Sequence, residues 1–318
     1  MSGGELVLSL DFELLWGVRD HATRETYGKN ILGGRAAIPR MLESFDRHGI
    51  QATWATVGAV FCASREELLD ALPPEELRPR YTHPALSNYR YLDEIGLDEA
   101  HDPYYFGATL VTQIASCPGQ EIATHTMSHF YCLEAGASIE TFAADIDAAC
   151  QLAANRGIKL RSIVFPRNQY AAPHLAVVRE RGIKRYRGNQ SAWPYRPSAG
   201  ANQTLPRRML RLIDAHTGML GSHLYFPGTE NVPASHFLRP CSGRLAAYHS
   251  RHLSVIESAM TRAAQTGAGF HLWWHPHNFG VDMEANLRGL ERIITHYGQL
   301  RDQYGMKSLT MAGSGGSK

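Results

Sequence analysis

Residues 5–13 read ELVLSLDFE, and the fold turns on them. The apolar run through Leu10 predicts a buried strand, and the acids Asp11 and Glu13 stand where it ends. Side chains two apart in a strand point to one side, so the two carboxylates face the same space. Two buried carboxylates are costly unless a metal, an arginine or a shared proton compensates them.

Runs of the same kind recur along the chain. Residues 5–10, 50–57, 120–124, 159–165, 183–186, 269–274 and 306–311 are rich in Val, Ile and Leu and alternate with helical patterns, which predicts parallel βα units and not a sandwich. In the helix expected over 138–156, Ser138 offers an N-cap, Ile139, Phe142, Ala143, Ile146 and Ala149 make the apolar stripe, and Gly157 stops it. Residues 36–48, 253–265 and 285–299 read the same way. Seven parallel strands whose sheet needs cover on both faces predict a TIM-like barrel lacking one unit. Two connections, 62–119 and 188–248, are too long for simple βα loops and read as functional or covering elements. The second carries Trp193 and Arg239 and is the candidate specificity element. With no internal repeat or linker, 1–312 reads as one domain and the end of the chain, GSGGSK over 313–318, as a flexible tail.

In such barrels the active site lies at the C-terminal ends of the strands. The residues able to do chemistry fall there: Asp11 and Glu13 after the first run, His125 and His129 in HTMSH after the third, Arg167 in FPRN after the fourth, His275 and His277 in WWHPHN after the sixth. Histidines four apart share one face of a helical turn, whereas on a strand they would lie ~13 Å apart, so the strand must end before His125. By itself H-x-x-x-H lacks the internal glutamate of H-E-x-x-H and fits solvated or core histidines more readily than ligands. A carboxylate from the first run completes a His–His–carboxylate set with open positions, the form of a catalytic metal site. Arg167 is placed either to pair with Asp11 and keep it ionised or to contact a phosphate or carboxylate of the substrate. Of the two later histidines, His275 is the better proton donor to a leaving amine, because it directly precedes the strand-ending Pro276.

The bulk composition narrows the classes. A chain of 318 residues that is 44% hydrophobic has an ample core. With 32 basic and 30 acidic residues the formal charge is +2, too little to gather nucleic acid or an anionic membrane. Five cysteines without a C-x-x-C pair suit reduced thiols. No stretch approaches the ~18 apolar residues of a membrane span. Met1–Gly4 hold no basic or apolar leader, which makes a cytoplasmic location the expectation.

On the segments SLDFE, HTMSH, FPRNQY and HLWWHPHN, met in this order from about Leu6 to about Asn278, the chain resembles the polysaccharide deacetylase family, also called the NodB-homology domain or carbohydrate esterase family 4. The resemblance implies an α/β fold, a distorted (β/α)7 TIM-like barrel with long inserted loops. It also implies a divalent metal, zinc first with Co2+, Ni2+, Mn2+ or Fe2+ as substitutes, held by a carboxylate and two histidines beside an aspartate base. Carried onto this sequence, His125, His129 and Glu13 are the metal ligands, Asp11 is the base, Arg167 the arginine that holds it, and His275 the acid. Phe12 stands where many members have a second aspartate, so the chain looks like a branch with a D-x-E first motif, and Trp274 replaces a usual leucine. Trp16, Trp274, His277 and Arg239 are the expected substrate contacts. The implied activity is removal of an N-acetyl or N-formyl group from an amino sugar, as a small molecule or glycan, and the missing leader favours a nucleotide- or lipid-linked precursor of surface-glycan assembly. A cyclic amide or ureide hydrolase on the same barrel is the alternative, as is a noncatalytic carbohydrate-binding homologue, for which Phe12 is the best argument.

Overall fold

Every strand-to-strand ladder among the described residues is parallel, as the buried apolar runs require. The computed structural model describes residues 3–241 and 243–316. Its elements are β1 (Glu5–Phe12), α1 (Arg24–His48), β2 (Ala52–Thr56), α2 (Gly58–Phe61), α3 (Arg65–Ala71), α4 (Ala108–Ser116), β3 (Gln120–Thr124), α5 (Ile139–Asn155), β4 (Ser162–Ile163), α6 (Ala172–Glu180), β5 (Arg185–Tyr186), α7 (Leu205–Thr217), β6 (His236–Phe237), α8 (His249–Thr266), β7 (Gly269–Trp274), α9 (Met283–Tyr304) and β8 (Lys307–Leu309).

The strands follow the order β5-β4-β3-β2-β1-β7-β6. The residues leading into β6 close the ring, since the Val232 N–H donates to the Tyr186 carbonyl and the Ala234 N–H to the Gly188 carbonyl, each at 2.9 Å, before β6 itself pairs with β7. This is the expected (β/α)7 barrel with one change of membership. The 306–311 run is not a stave: β8 pairs only with Glu5–Val7 of β1, at the N-terminal end. The seventh stave is β6, only two residues long and therefore without a periodicity to read.

Strand alternation sorts β1 into two environments. Leu6, Leu8, Leu10 and Phe12 pack outward among helix residues such as Ile38, Met41, Ile256 and Leu290. Val7 faces inward and meets Ala55, Ala123, Val164, Val232 and Met311 inside the ring. Each buried aliphatic side chain contributes roughly 1.5–3 kcal/mol. Ser9 and Asp11 share the inward parity of Val7, so the strand that anchors the core also carries its polar residues into the barrel.

α1 starts twelve residues before its expected start at 36, because Thr23 caps it through a reciprocal bond with Thr26. Gly33 and Gly34 lower the helical signal there, but a Cβ on Gly34 would stand 2.6 Å from the His277 Cα, so the glycine lets α1 lie directly against the segment after β7. α5 has its expected Ser138 cap. The tail reading is corrected for residues 313–316: Ser314 is buried, its hydroxyl donates to Glu5 at 2.9 Å, and its carbonyl accepts from Arg185 at 3.0 Å. Residues 317 and 318 lie outside the described residues. No helix among the described residues is long and apolar enough to cross a membrane.

Candidate metal centre

The C-terminal ends of the strands converge on one buried polar cluster. Glu13 follows β1 directly, with the parity of Asp11, while Phe12 between them turns into the outer core. The D-F-E spacing is therefore what points both carboxylates inward. Past Glu13 the backbone turns back, with Leu14 at φ 49°. A Cβ on Gly17 would lie 1.9 Å from the Glu13 carboxyl carbon, so that carboxylate occupies the space a side chain would need.

β3 ends at Thr124, and the His125 N–H donates to the Thr56 carbonyl at 2.9 Å. His125 Nδ1 lies 2.7 Å from the Val164 carbonyl, which can only accept, so the ring proton sits on Nδ1 and Nε2 keeps its lone pair. The expected helical turn over HTMSH is not formed. Thr126 and His129 instead adopt left-handed φ of 65° and 59°, folding the loop back so that the two imidazole centroids lie 5.0 Å apart. Buried Asp145 of α5 holds this loop, accepting from the Met127 N–H at 2.6 Å, the Ser128 N–H at 3.2 Å and the Ser128 hydroxyl, and Asn88 donates to the Ser128 carbonyl at 3.0 Å. Burial pushes the Asp145 carboxyl up to about 6 against those donors.

Both Nε2 atoms face one oxygen, His125 at 3.4 Å and His129 at 3.1 Å from Glu13 Oε2. All three residues are buried and offer donor atoms within 4.8 Å of one another. Neighbouring ligands around a tetrahedral ion with bonds of ~2.0–2.2 Å lie about 3.3–3.6 Å apart, so the set fits a divalent cation bound by nitrogen and oxygen. Burial holds the His129 imidazole below its usual value despite Glu13, favouring the neutral form a ligand needs. For Glu13, burial alone would raise the carboxyl, yet its histidine neighbours, His275 first and then His125 and His129, hold it well below the usual carboxylate range.

Asp11 sits beside this set, paired with an arginine other than the expected one. Arg187, immediately after β5, donates Nη1 and Nη2 to the two Asp11 oxygens at 2.7 Å each, with both side chains buried. Burial would raise the Asp11 carboxyl, but the Arg187 charge, with His125 and His275, outweighs it and keeps Asp11 ionised. Arg167 is a correction: its backbone is left-handed at φ 54°, and its guanidinium lies 4.2 Å over the Tyr131 ring and pairs with Asp20 and, at 3.7 Å, Glu134. Behind Asp11 the polar chain continues inward. His271 Nδ1 meets the Val232 carbonyl at 2.9 Å, so its Nε2 accepts from the Ser9 hydroxyl at 2.8 Å, and Ser9 in turn accepts from Arg187 at 3.1 Å. Burial pushes His271 down to about 3, which keeps it neutral in that role.

His275 Nε2 lies 3.7 Å from Asp11 Oδ2 and 3.6 Å from Glu13 Oε1, and its side chain is 22% exposed, the most accessible of the cluster. His277 stacks on it with centroids 4.9 Å apart, is buried, and is pushed down to about 3 by that burial. It thus backs His275 and does not face outward. The readings of Trp16 and Trp274 as substrate contacts are also corrected. Trp274 is fully buried against Phe45 and Phe279, and Trp16 is buried with its Nε1 donating to the Tyr105 carbonyl. Trp273, one residue earlier and of inward parity, is the tryptophan at the site, with Arg187 stacked on its ring at 4.0 Å.

Asp145→Ala should leave the Met127 and Ser128 donors unpaired at ~1–3 kcal/mol each and loosen the loop that aims His129. A competition titration is expected to show zinc affinity reduced ~10-fold or more. Unchanged affinity would mean that Asp145 does not set the loop.

No protein-family profile matches the sequence. No curated protein matches it either. Solved structures do match in fold. A candidate polysaccharide deacetylase from Mycobacterium smegmatis aligns over 98% of this chain and 89% of its own at 13% identity, with a TM-score of 0.60. The Puue allantoinase aligns over 96% and 86% at 11% identity, with a TM-score of 0.54. A GH57-type branching enzyme from the hyperthermophilic archaeon Pyrococcus horikoshii aligns over 98% and 70% at 12% identity, with a TM-score of 0.52. With its parallel seven-stave ring, the chain has the NodB-type (β/α)7 barrel fold of the polysaccharide deacetylases.

Proposed function

We propose that this protein is a metal-dependent hydrolase that removes an N-acyl group, acetyl or formyl, from an amino sugar, with Glu13, His125 and His129 as ligands in a D-x-E version of the first motif. The observation that carries the reading is the convergence of three buried donor groups beside an arginine-held carboxylate and a partly exposed histidine. A bound divalent cation, zinc by preference for this donor set, would polarise the acyl carbonyl and make a water acidic. Asp11 has one lone pair left on each oxygen after Arg187 is served, enough to orient that water and accept its proton. Arg187 fixes the plane of the carboxylate and keeps it charged. His275 reaches the same space and supplies the proton that the departing amine needs. His277 and Trp273 restrict how its ring can turn.

The test is acyl release from a panel of N-acetyl and N-formyl amino sugars, free and nucleotide-linked, by the zinc-loaded protein. Acetate or formate should appear, stop with a chelator and return with zinc. Absence of release at every metal loading, or hydrolysis only of a cyclic ureide, would overturn the reading.

A further inference from the structure

A cavity of about 470 Å³ adjoins the metal centre, within the usual range for a small-ligand pocket. It lies next to the site, since Trp273 and Phe237 line it and their ring centroids lie 5.6 and 5.8 Å from that of His275. Five arginines line it, Arg167, Arg196, Arg208, Arg211 and Arg239, and no aspartate or glutamate does. Several arginines elsewhere have carboxylate partners, as in Arg35–Glu99, Arg181–Asp147 and Arg292–Glu257, and the whole chain is nearly balanced at +2, so a wall of five arginines with no acid among them is a local concentration of charge.

Only Arg167 of the five has a carboxylate partner among the described residues. Arg211 donates to the neutral Gln203 amide at 2.8 Å. Arg239 Nε and, on the same wall, His236 Nε2 are buried with no hydrogen-bond partner among the described residues. Burial and the neighbouring Arg207, Arg239 and Arg208 push the Arg211 guanidinium below its usual value, and burial does the same to Arg239. Arg211 and Arg239 are half-buried, and a cation taken partly out of water is disfavoured unless a ligand supplies the opposite charge, while Arg208 and Arg196 are exposed to solvent at the rim.

We propose that this cavity binds a phosphate or diphosphate carried by the sugar, so that the substrate is a glycosyl phosphate ester and not a neutral polymer. The proposal rests on the hydrolase reading only in assigning that anion to the same substrate. A single carboxylate is satisfied by one bidentate arginine, whereas Arg208 and Arg211 from α7 and Arg239 from just after β6, none with a carboxylate partner among the described residues, together match the several oxygens and charges of a phosphate ester. Phe237 and Trp273 add faces on which the sugar ring can rest.

Calorimetric titration of the full-length, zinc-loaded protein with three probes tests this: N-acetylglucosamine, its 1-phosphate, and UDP-N-acetylglucosamine. Both phosphorylated probes should bind ~10-fold or more tightly than the neutral sugar, with a preference that weakens as salt rises. Arg208→Ala with Arg211→Ala should abolish that preference, and the lysine pair should retain most of it, which guards against mere loss of folding. A His129→Ala background should keep the preference, so anion binding and metal-dependent hydrolysis can fail separately. Equal affinity for all three probes, a gain seen only with the uridine-bearing probe, or a preference that survives the double alanine variant would overturn the proposal.

Discussion

Replacing Arg187 with methionine is expected to destabilise the fold by about 3–5 kcal/mol and to slow hydrolysis by ~10²-fold or more. Arg187 and Asp11 are both buried and joined by two bonds of 2.7 Å, so the substitution leaves a carboxylate without its counter-charge inside the barrel. Ser9 and Asn168 lose a donor at the same time. Lysine should not rescue, because one ammonium cannot reproduce the planar fork. The pH dependence follows from the direction of the Asp11 shift. A carboxyl held low in the folded state contributes stability above its ordinary value and loses it as pH falls through the lowered one. The deficit should therefore persist at neutral pH and narrow in acid, where Asp11 becomes neutral in wild type and variant alike. Removing both charges with Asp11→Asn and Arg187→Met should restore much of the stability but none of the turnover. Urea unfolding and turnover measured on all three variants check this. A stable, active Arg187→Met protein would contradict the pairing.

His129→Ala is expected to lose metal and activity together. His129 Nε2 is one of three donors, and removing a ligand should exceed the ~10–100-fold loss in affinity typical of removing only a group that orients a ligand. Asp11→Asn and His275→Ala should behave differently, keeping the metal while turnover falls ~10²-fold or more. Metal content and rate measured on the same preparations separate the two classes.

Much of this arrangement was legible in the residues because strand periodicity is strong where strands are long. The β1, β3 and β7 runs were readable, and their ends gave Asp11, Glu13, His125 and His275. β4, β5 and β6 have two residues each, but β4 and β5 sit in Val/Ile-bearing runs while β6 lies inside the Pro- and Arg-rich 188–248 connection, so β6 was passed over and the 306–311 run took its place. Arg187 was within reach of the same rule, standing directly after the 183–186 run, but the FPRN segment drew the assignment to Arg167. Counting back two from His275 along β7 gives Trp273 as the inward ring and leaves Trp274 for the core. The left-handed turns at Thr126 and His129 could not be foreseen, because neither residue type requires them. Asp145 did leave a trace, as an acid at the edge of the apolar stripe of α5 that must find polar partners once buried.

The central claim is a metal held by Glu13, His125 and His129. An anomalous-scattering map from crystals of the zinc-loaded protein, recorded on both sides of the zinc edge, tests it directly. A single peak between the Glu13 carboxylate and the two Nε2 atoms, absent from His129→Ala crystals, is the predicted result. No peak there, or a peak that survives the substitution, would contradict it.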